Sequence, residues 1–504
     1  MAMTAGQTRP AVIPAWLLLL LAAYFAVQIA VRLILPDALG LDEAEQVFRL
    51  QWLAAGYGAQ PPFYNWLQYA VFSVAGTSVA TLAIVKNAML FCAYLFSALT
   101  ARLLLRDRML VAVATLGLLT IPQIVFEMQR DLTHTVAVFF AGSMFIYGYF
   151  LTLKRPSLGS YAVTGIAIGI GLLSKYNFAL LPAAAFLAAL TDSVMRRRIF
   201  DWRLLVTAAI TIALALPHAL WLEDHLAAAS ARTLSKLKEN EAASYPLQVL
   251  TGTGSFALAI VGFAVVTVVI FAITFRKPLL SSLRASSRDI ALVERILLFA
   301  ALGIIVLIVF GGATNIKDRW LVPVLFVAPL YFCMKLEAAG ADTRDGVRRF
   351  VAVTMVVMIA MPIAMFGRIA IARFTHDYER GNIPYGALSD LLRAQGNPGL
   401  IVVTSDWTGG NLGLHFPDAT VVSPVYPPDE VTVDTASGKP ILLVWNIGGN
   451  KAPAVMPPAL VDWLQSKNIA SGLPTASADV PYHYAADGDT YRFGYAWVNG
   501  PTSR

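Results

Sequence analysis

From Val12 to about residue 371 the chain is a succession of long apolar runs separated by short polar loops. Read as bilayer-crossing segments, these runs predict about eleven helices, at 12–36, 77–104, 109–122, 134–153, 158–173, 177–193, 203–222, 248–275, 291–311, 320–335 and 349–371. A simple span needs about 20 residues. The runs at 109–122, 158–173 and 177–193 are shorter, so they sit in thin membrane, extend into their loops or are miscounted. The first run is longer than a signal-peptide core and lacks a convincing small-residue cleavage site, so it is read as a retained anchor.

Charge orients the pattern. One set of loops carries Arg102, Arg106 and Arg108; Lys154 and Arg155; Arg196, Arg197, Arg198 and Arg203; Arg276, Lys277, Arg284 and Arg288; and Lys335, Arg344, Arg348 and Arg349. The intervening loops are mixed or acidic. The positive-inside rule places the basic set and the N-terminus in the cytoplasm. An odd number of spans then puts the tail beyond Arg373 outside, as in a multi-pass membrane protein.

Two outer segments are half apolar rather than simply polar. Asp37 to Gly76 shows aromatic and aliphatic residues at helical spacing, which predicts one or two amphipathic helices along the interface. Glu223 to Pro246 is similar, with mixed charge. From about Thr375 charged, Pro and Gly residues return. Short β-rich runs (Leu400–Thr404, Thr420–Val422, Ile441–Trp445) then alternate with helix-like stretches (Tyr385–Ala394, Ala459–Lys467). This predicts a transmembrane domain over 1–374 and a small soluble α/β domain over 375–504. Thr408-Gly409-Gly410-Asn411 lacks the pattern of a nucleotide-binding turn.

Composition agrees with the membrane reading: 57% of the 504 residues are hydrophobic and 14% charged, against roughly 45–50% and about 25% in soluble domains. Cys92 and Cys333 both lie in apolar runs, which argues against a disulfide framework or a zinc site. The formal charge of +7 is spread over inside-type loops and does not suggest nucleic acid. HExxH, CxxC and Walker A patterns are absent, so no metal or other cofactor is expected, although carboxylates can recruit a divalent ion.

Ionisable groups gather on the outer side: Asp42, Glu43 and Glu45; Glu127, Arg130, Asp131 and His134; Lys175 with Tyr176; and Lys317, Asp318 and Arg319. Each has a plain reading. Asp42 and Glu43 suit a helix N-terminus, Arg130 and Asp131 a solvated pair, and Lys175 and the Lys317–Arg319 group interfacial snorkelling. His134 and His218 suit helix-end positions, and Gly165, Gly169 and Gly171 suit close helix packing. Together, however, carboxylates able to accept a proton from an attacking hydroxyl stand beside cations able to hold a phosphate. That combination suits group transfer from a lipid-borne phosphate donor.

Six motifs in order carry a resemblance: Asp42-Glu43; Gln60-Pro61-Pro62-Phe63-Tyr64-Asn65-Trp66-Leu67; Arg130-Asp131-Leu132; Gly171-Leu172-Leu173-Ser174-Lys175-Tyr176; Pro217-His218-Ala219-Leu220-Trp221; and Lys317-Asp318-Arg319-Trp320-Leu321-Val322-Pro323. Over residues 12–335 the chain resembles glycosyltransferase family 39 in the broad sense, GT-C enzymes such as protein O-mannosyltransferases and the bacterial aminoarabinose transferase of lipid A. The resemblance extends to the branch that includes lipopolysaccharide galacturonosyltransferases. It implies a polyprenyl-phosphate sugar donor, an envelope glycolipid or protein acceptor, and transfer on the periplasmic side with inversion. It further implies Asp42 as principal catalytic carboxylate with Glu43 beside it, and Asp131 as a second acidic position. Gln60, Tyr64, Arg130, Lys175, Tyr176, His218, Lys317, Asp318 and Arg319 then fall to donor phosphate or acceptor. Many relatives carry Lys where this chain has Gln60, which leaves phosphate charge at that point to Lys175 or Arg319. The rivals are a transporter or lipid flippase, which calls for mid-span charges and broken helices in matching halves, and a non-catalytic envelope-assembly scaffold.

Overall fold

The computed structural model describes residues 12–238, 244–426, 438–449, 452–470 and 472–498. The chain opens with α1 (Ala15–Ile34), α2 (Leu41–Arg49), α3 (Phe63–Ala75) and α4 (Val79–Leu104). Seven helices among the described residues are long and apolar enough to cross a membrane: α1, α4, Thr133–Lys154, Leu204–Ala227, Tyr245–Phe275, Arg288–Gly311 and Arg344–Ala370. Two further spans are bent pairs, Arg108–Thr120 with Gln123–Arg130 at 68° and Asp318–Leu325 with Ala328–Ala338 at 42°. Two shorter apolar helices, Leu158–Leu172 and Tyr176–Leu190, complete the set. Each of the eleven apolar runs in the sequence thus corresponds to one of these elements. The run at 109–122 was short because its span bends at Pro122 and continues to Arg130.

Glu223 to Pro246 does not form a separate interfacial element. Its first part prolongs the helix Leu204–Leu237, an unbroken 34 residues, because Ala- and Leu-rich sequence gives no stop signal there. Residues 239–243 lie outside the described residues.

The chain divides into two compact units. The first comprises Met1–Ala26, Ala55–Tyr64 and Asn87–Met361 and is helical. Many large apolar side chains on its helices are exposed to the surroundings, Leu205 at 70% and Phe310 at 82% among them. That is the expected surface of a lipid-facing helix, where burial against protein is not needed to keep an apolar group from water. Small residues bring its helices together. A Cβ on Gly165 would lie 2.7 Å from the Thr207 carbonyl oxygen, and one on Gly169 2.8 Å from Leu214. The glycines therefore let the helices Leu158–Leu172 and Leu204–Leu237 approach at backbone distance.

The second unit comprises Val27–Ala54, Asn65–Lys86 and Pro362–Arg504. It carries a five-stranded sheet in the order β2-β1-β3-β5-β4, built from β1 (Leu400–Val403), β2 (Thr420–Val422), β3 (Ile441–Gly448), β4 (Ala476–Pro481) and β5 (Thr490–Val498). The first three strands pair in parallel, and β5 runs antiparallel to both β3 and β4. Alternation along the strands sends Ile401, Val403, Leu442, Val444 and Phe493 to one face, against Leu388, Leu392 and Leu412. Leu400, Val402, Leu443 and Trp445 pack on the other face against Leu460, Trp463 and Leu464.

The first face also takes in Phe48 of α2, fully buried there. Burying such a ring contributes about 1.5–3 kcal/mol. The helix Asp406–His415 lies directly on α2. A Cβ on Gly410 would fall 2.0 Å from the Ala44 carbonyl oxygen, and one on Gly409 2.4 Å from the Phe48 ring. The glycine pair that failed as a nucleotide-binding turn is thus a helix-packing contact.

Gly410→Ala should therefore force α2 and its partner helix apart, at an overpacking cost of about 1–3 kcal/mol. A thermal melt of the purified protein checks this. An unchanged midpoint would exclude backbone-distance packing at Gly410.

Candidate active site

In the sheet-bearing unit the Asp-Glu pair lies in the first turn of α2, whose N-cap is Gly40. The two carboxylates have different surroundings. Asp42 is half-buried on the helix surface. Glu43 points inward, its side chain 4% exposed, and is bound from three directions. Arg32 of α1 donates to it (Nη2–Oε2 3.0 Å), as does Lys86 of α4 (Nζ–Oε1 3.2 Å). The Gly40 amide donates to it at 3.4 Å. Burial alone would raise the Glu43 carboxyl, but the Arg32 guanidinium and the Lys86 ammonium outweigh it and hold the group well below the usual carboxylate range. Such a group stays ionised and committed to its partners. Arg32 also donates to the Pro36 and Ala38 carbonyls at 3.0 and 3.2 Å, fastening the turn between α1 and α2.

Asp37 in that turn faces two imidazoles, His415 Nε2 at 3.4 Å and His483 Nε2 at 4.0 Å. Burial depresses both histidines, against the upward pull of Asp37.

In the helical unit the remaining motifs are joined by a chain of contacts. The segment Gln60–Tyr64 is tied to the next motif by the Phe63 amide, which donates to the Leu173 carbonyl at 2.8 Å. Tyr64 is fully buried, with its ring 6.1 Å from that of His134. Lys175 reaches the start of the helix Thr133–Lys154, donating to Thr135 Oγ1 at 2.7 Å. His218 Nδ1 lies 2.9 Å from the Ala55 carbonyl and so carries the proton. Its Nε2 is then left to accept from the Tyr176 hydroxyl at 3.1 Å. Asn177 donates to the Trp320 carbonyl at 3.0 Å, which brings in the Lys317–Trp320 turn.

Roles diverge within these motifs. Asp318 accepts from Gln123 Nε2 at 2.6 Å and from the Arg319 amide at 2.7 Å, and so ties the break of the first bent span to the start of the second. Arg319 is half-buried, and no acidic side chain among the described residues pairs with its guanidinium. Arg130 is exposed and paired with Glu127 at 3.3 Å. Asp131 is half-buried and followed by Leu132 at φ 66°, a left-handed conformation uncommon for a non-glycine residue. Strain of this kind costs roughly 1–3 kcal/mol and gathers where a loop must aim particular side chains.

Several residues in these arrangements were not singled out in the sequence: Arg32, Lys86, Gln123, Thr135 and Asn177. Arg32 and Lys86 did carry a signal, since each is an ionisable residue inside an otherwise apolar run. Gln123 and Thr135 carry no pattern distinguishable from ordinary polar residues at helix ends.

An all-helical membrane unit that carries most of the motifs in order, and a small sheet-bearing unit, make the architecture expected of a multi-pass glycosyltransferase of the GT-C type. Residues 59–221 match the family model for dolichyl-phosphate-mannose-protein mannosyltransferase. The chain is 55% identical to the lipopolysaccharide core galacturonosyltransferase RgtB of Rhizobium johnstonii, over 96% of this chain and 98% of the relative. It is 43% identical to the corresponding transferase RgtA of the same organism, over 96% and 97%. The crystal structure of ArnT from Cupriavidus metallidurans bound to undecaprenyl phosphate shares the fold, with a TM-score of 0.61 at 12% identity over 95% of this chain and 98% of that one. The apo form of that protein gives 0.58 at 13% identity, over 96% and 97%. The chain belongs to the family of the lipopolysaccharide core galacturonosyltransferases. That membership favours the transferase over the transporter and scaffold readings.

Two outcomes follow for the sheet-bearing unit. Glu43→Gln leaves Arg32 and Lys86 buried without an anion and should destabilise the protein by about 3–5 kcal/mol. The double variant Glu43→Gln with Lys86→Met should lose less than the two single losses added together; strict additivity in thermal melts would rule out the coupling. His415 and His483 have folded-state affinities for protons below the ordinary histidine value, so their contribution is present above about pH 6.5 and is lost as the pH falls. Wild-type melting should therefore drop more steeply between about pH 7 and 5 than that of a His415→Phe, His483→Phe variant; equal slopes would refute it.

Proposed function

We propose that this protein transfers a galacturonosyl residue from a polyprenyl-phosphate donor to a hydroxyl of the lipopolysaccharide core, at the periplasmic face of the inner membrane. The near full-length likeness to RgtB carries this reading. The basic loops support its orientation, since they put Asp42, Asp131, Lys175 and Arg319 on the side opposite the cytoplasm.

In this reading Asp42 is the general base. Its carboxylate takes the proton of the acceptor hydroxyl as that oxygen attacks the anomeric carbon. The bond from the anomeric carbon to the phosphate oxygen breaks, and its electron pair leaves with polyprenyl phosphate. Attack from the face opposite the leaving group inverts the anomeric centre. Glu43, already ionised and held by two cations, serves to seat α2 rather than to move a proton.

The leaving phosphate gains charge in this step and needs fixed cations. Arg319, half-buried and without an acidic side-chain partner among the described residues, supplies a guanidinium for it. Lys175, oriented by Thr135, supplies an ammonium, and the amide of Gln60 adds a neutral donor. Tyr176 and His218 hold the Lys175 turn against the segment around Ala55. Asp318 orients the Arg319 turn through Gln123, while Asp131, Arg130, Tyr64 and Lys317 are assigned to the acceptor side.

Asp42→Asn should lower turnover by about 10²–10⁴-fold while the protein remains folded in the membrane. Mass spectrometry of lipopolysaccharide core from cells carrying the wild type should show a gain of one hexuronosyl residue that the variant does not give. Undiminished transfer by the variant would sink Asp42 as the base, and a pentosyl or neutral hexosyl mass difference would sink the galacturonosyl assignment.

A further inference from the structure

Leu39 is fully buried and lies three residues before Asp42, at the entry to α2. Both polar groups of its backbone are taken up by side chains of one helix, Asp406–His415. The Leu39 amide donates to Asn411 Oδ1 at 2.8 Å, and the Leu39 carbonyl accepts from the Trp407 indole N–H at 2.8 Å. The Asn411 amide cannot turn over, because its Nδ2 donates to the Trp407 carbonyl at 2.9 Å and so aims Oδ1 at Leu39. Gly410 lies against the backbone of Ala44 in the turn that follows.

The far end of α2 is fastened to the same domain. Arg49 pairs with Asp406 at 2.7 Å, and Gln51 exchanges two hydrogen bonds with Val421, at 2.8 and 2.9 Å. Of all these contacts, those on Leu39 bear most directly on the first turn, because they fix the peptide from which Gly40 and the helix start. A helix turns about 100° per residue, so a small rotation at Leu39 redirects the Asp42 side chain.

We infer that Trp407 and Asn411 are positioning residues for the Asp42 carboxylate, acting through the backbone of Leu39. This rests on Asp42 as the general base. It gives the C-terminal α/β domain a part in the chemical step through the backbone of the segment that carries Asp42. Misplacing a catalytic group by about 1 Å costs on the order of 10²-fold in rate. The cations assigned to the donor phosphate belong to chain segments that neither residue touches, so donor affinity is left alone.

The test uses the full-length protein in lipid nanodiscs, a polyprenyl-phosphate-linked uronic acid and purified core acceptor, with polyprenyl phosphate release as the readout. Turnover is normalised to the folded fraction, measured by thermal melt and limited proteolysis. Asn411→Ala should lower kcat about 10²-fold with donor KM changed by less than about threefold. Trp407→Phe, which removes the indole N–H together with part of the ring, should lower kcat about tenfold in the same way. Asp42→Asn is run alongside. If it is inactive while Asn411→Ala and Trp407→Phe turn over within about twofold of wild type per folded molecule, the positioning role is overturned and the base assignment stands. A loss in Asn411→Ala that lies wholly in folded fraction or in donor KM overturns it equally. Wild-type turnover by Asp42→Asn removes both.

Discussion

A single carboxylate without access to water sets the register of the segment that carries the Asp-Glu motif. Glu43 stands where α1, the start of α2 and α4 come together, and each presents it with a donor: Arg32, the Gly40 amide and Lys86. Two cations in apolar surroundings cost several kcal/mol each unless an anion meets them. In this placement of α2 on the two helices, Glu43 supplies that anion. The geometry of α2, including the half-buried setting of Asp42, follows from satisfying those charges. Adjacent residues of the same chemical type have thereby acquired opposite duties, one committed to internal partners and one left at the surface.

The helical unit uses breaks in its spans for a similar purpose. A straight helix satisfies its own backbone and leaves few polar groups to organise anything else. Where the span at 108–130 bends by 68° and the one at 318–338 by 42°, backbone and side-chain polar groups become available. Gln123 at the first break and Asp318 at the start of the second span find each other at 2.6 Å. The loop carrying Asp131 pays for its shape with the positive φ of Leu132. The functional turns thus sit at the ends of the bent spans, one of them tied to the break of the other span.

Hydropathy made the membrane architecture legible because eleven apolar runs leave few alternatives, and even the runs that were too short marked real features, a bent span and two short helices. Strands β1, β2 and the start of β3 were legible as β-branched runs. β4 and β5 were not, since outward Ser477 and Asp479, half-buried Arg492 and a buried Gly494 interrupt their apolar alternation, which reads as loop. The helix Asp406–His415 was missed for a related reason. Gly409 and Gly410 are poor helix formers, and their value lies in what they allow to approach, which is a tertiary fact. The motif residues themselves could be picked out in order, but their division of labour could not. That Glu43 turns inward and Asp42 does not, or that Asp318 is engaged by Gln123 while Arg319 has no acidic partner among the described residues, depends on partners far away in sequence.

The bond between Leu39 and Asn411 spans 372 positions of the chain. Synthesis proceeds at roughly 5–20 residues per second, so on the order of 20–75 s separate the emergence of the two partners from the ribosome. Throughout that interval α2 has left the ribosome with neither its glycine-lined seat nor the clasp on Leu39. The acidic helix at the head of the chain is completed by almost the last helix to be made. A product truncated anywhere before Asn411 lacks that clasp, so the order of synthesis leaves α2 unseated in every chain that stops short of this helix.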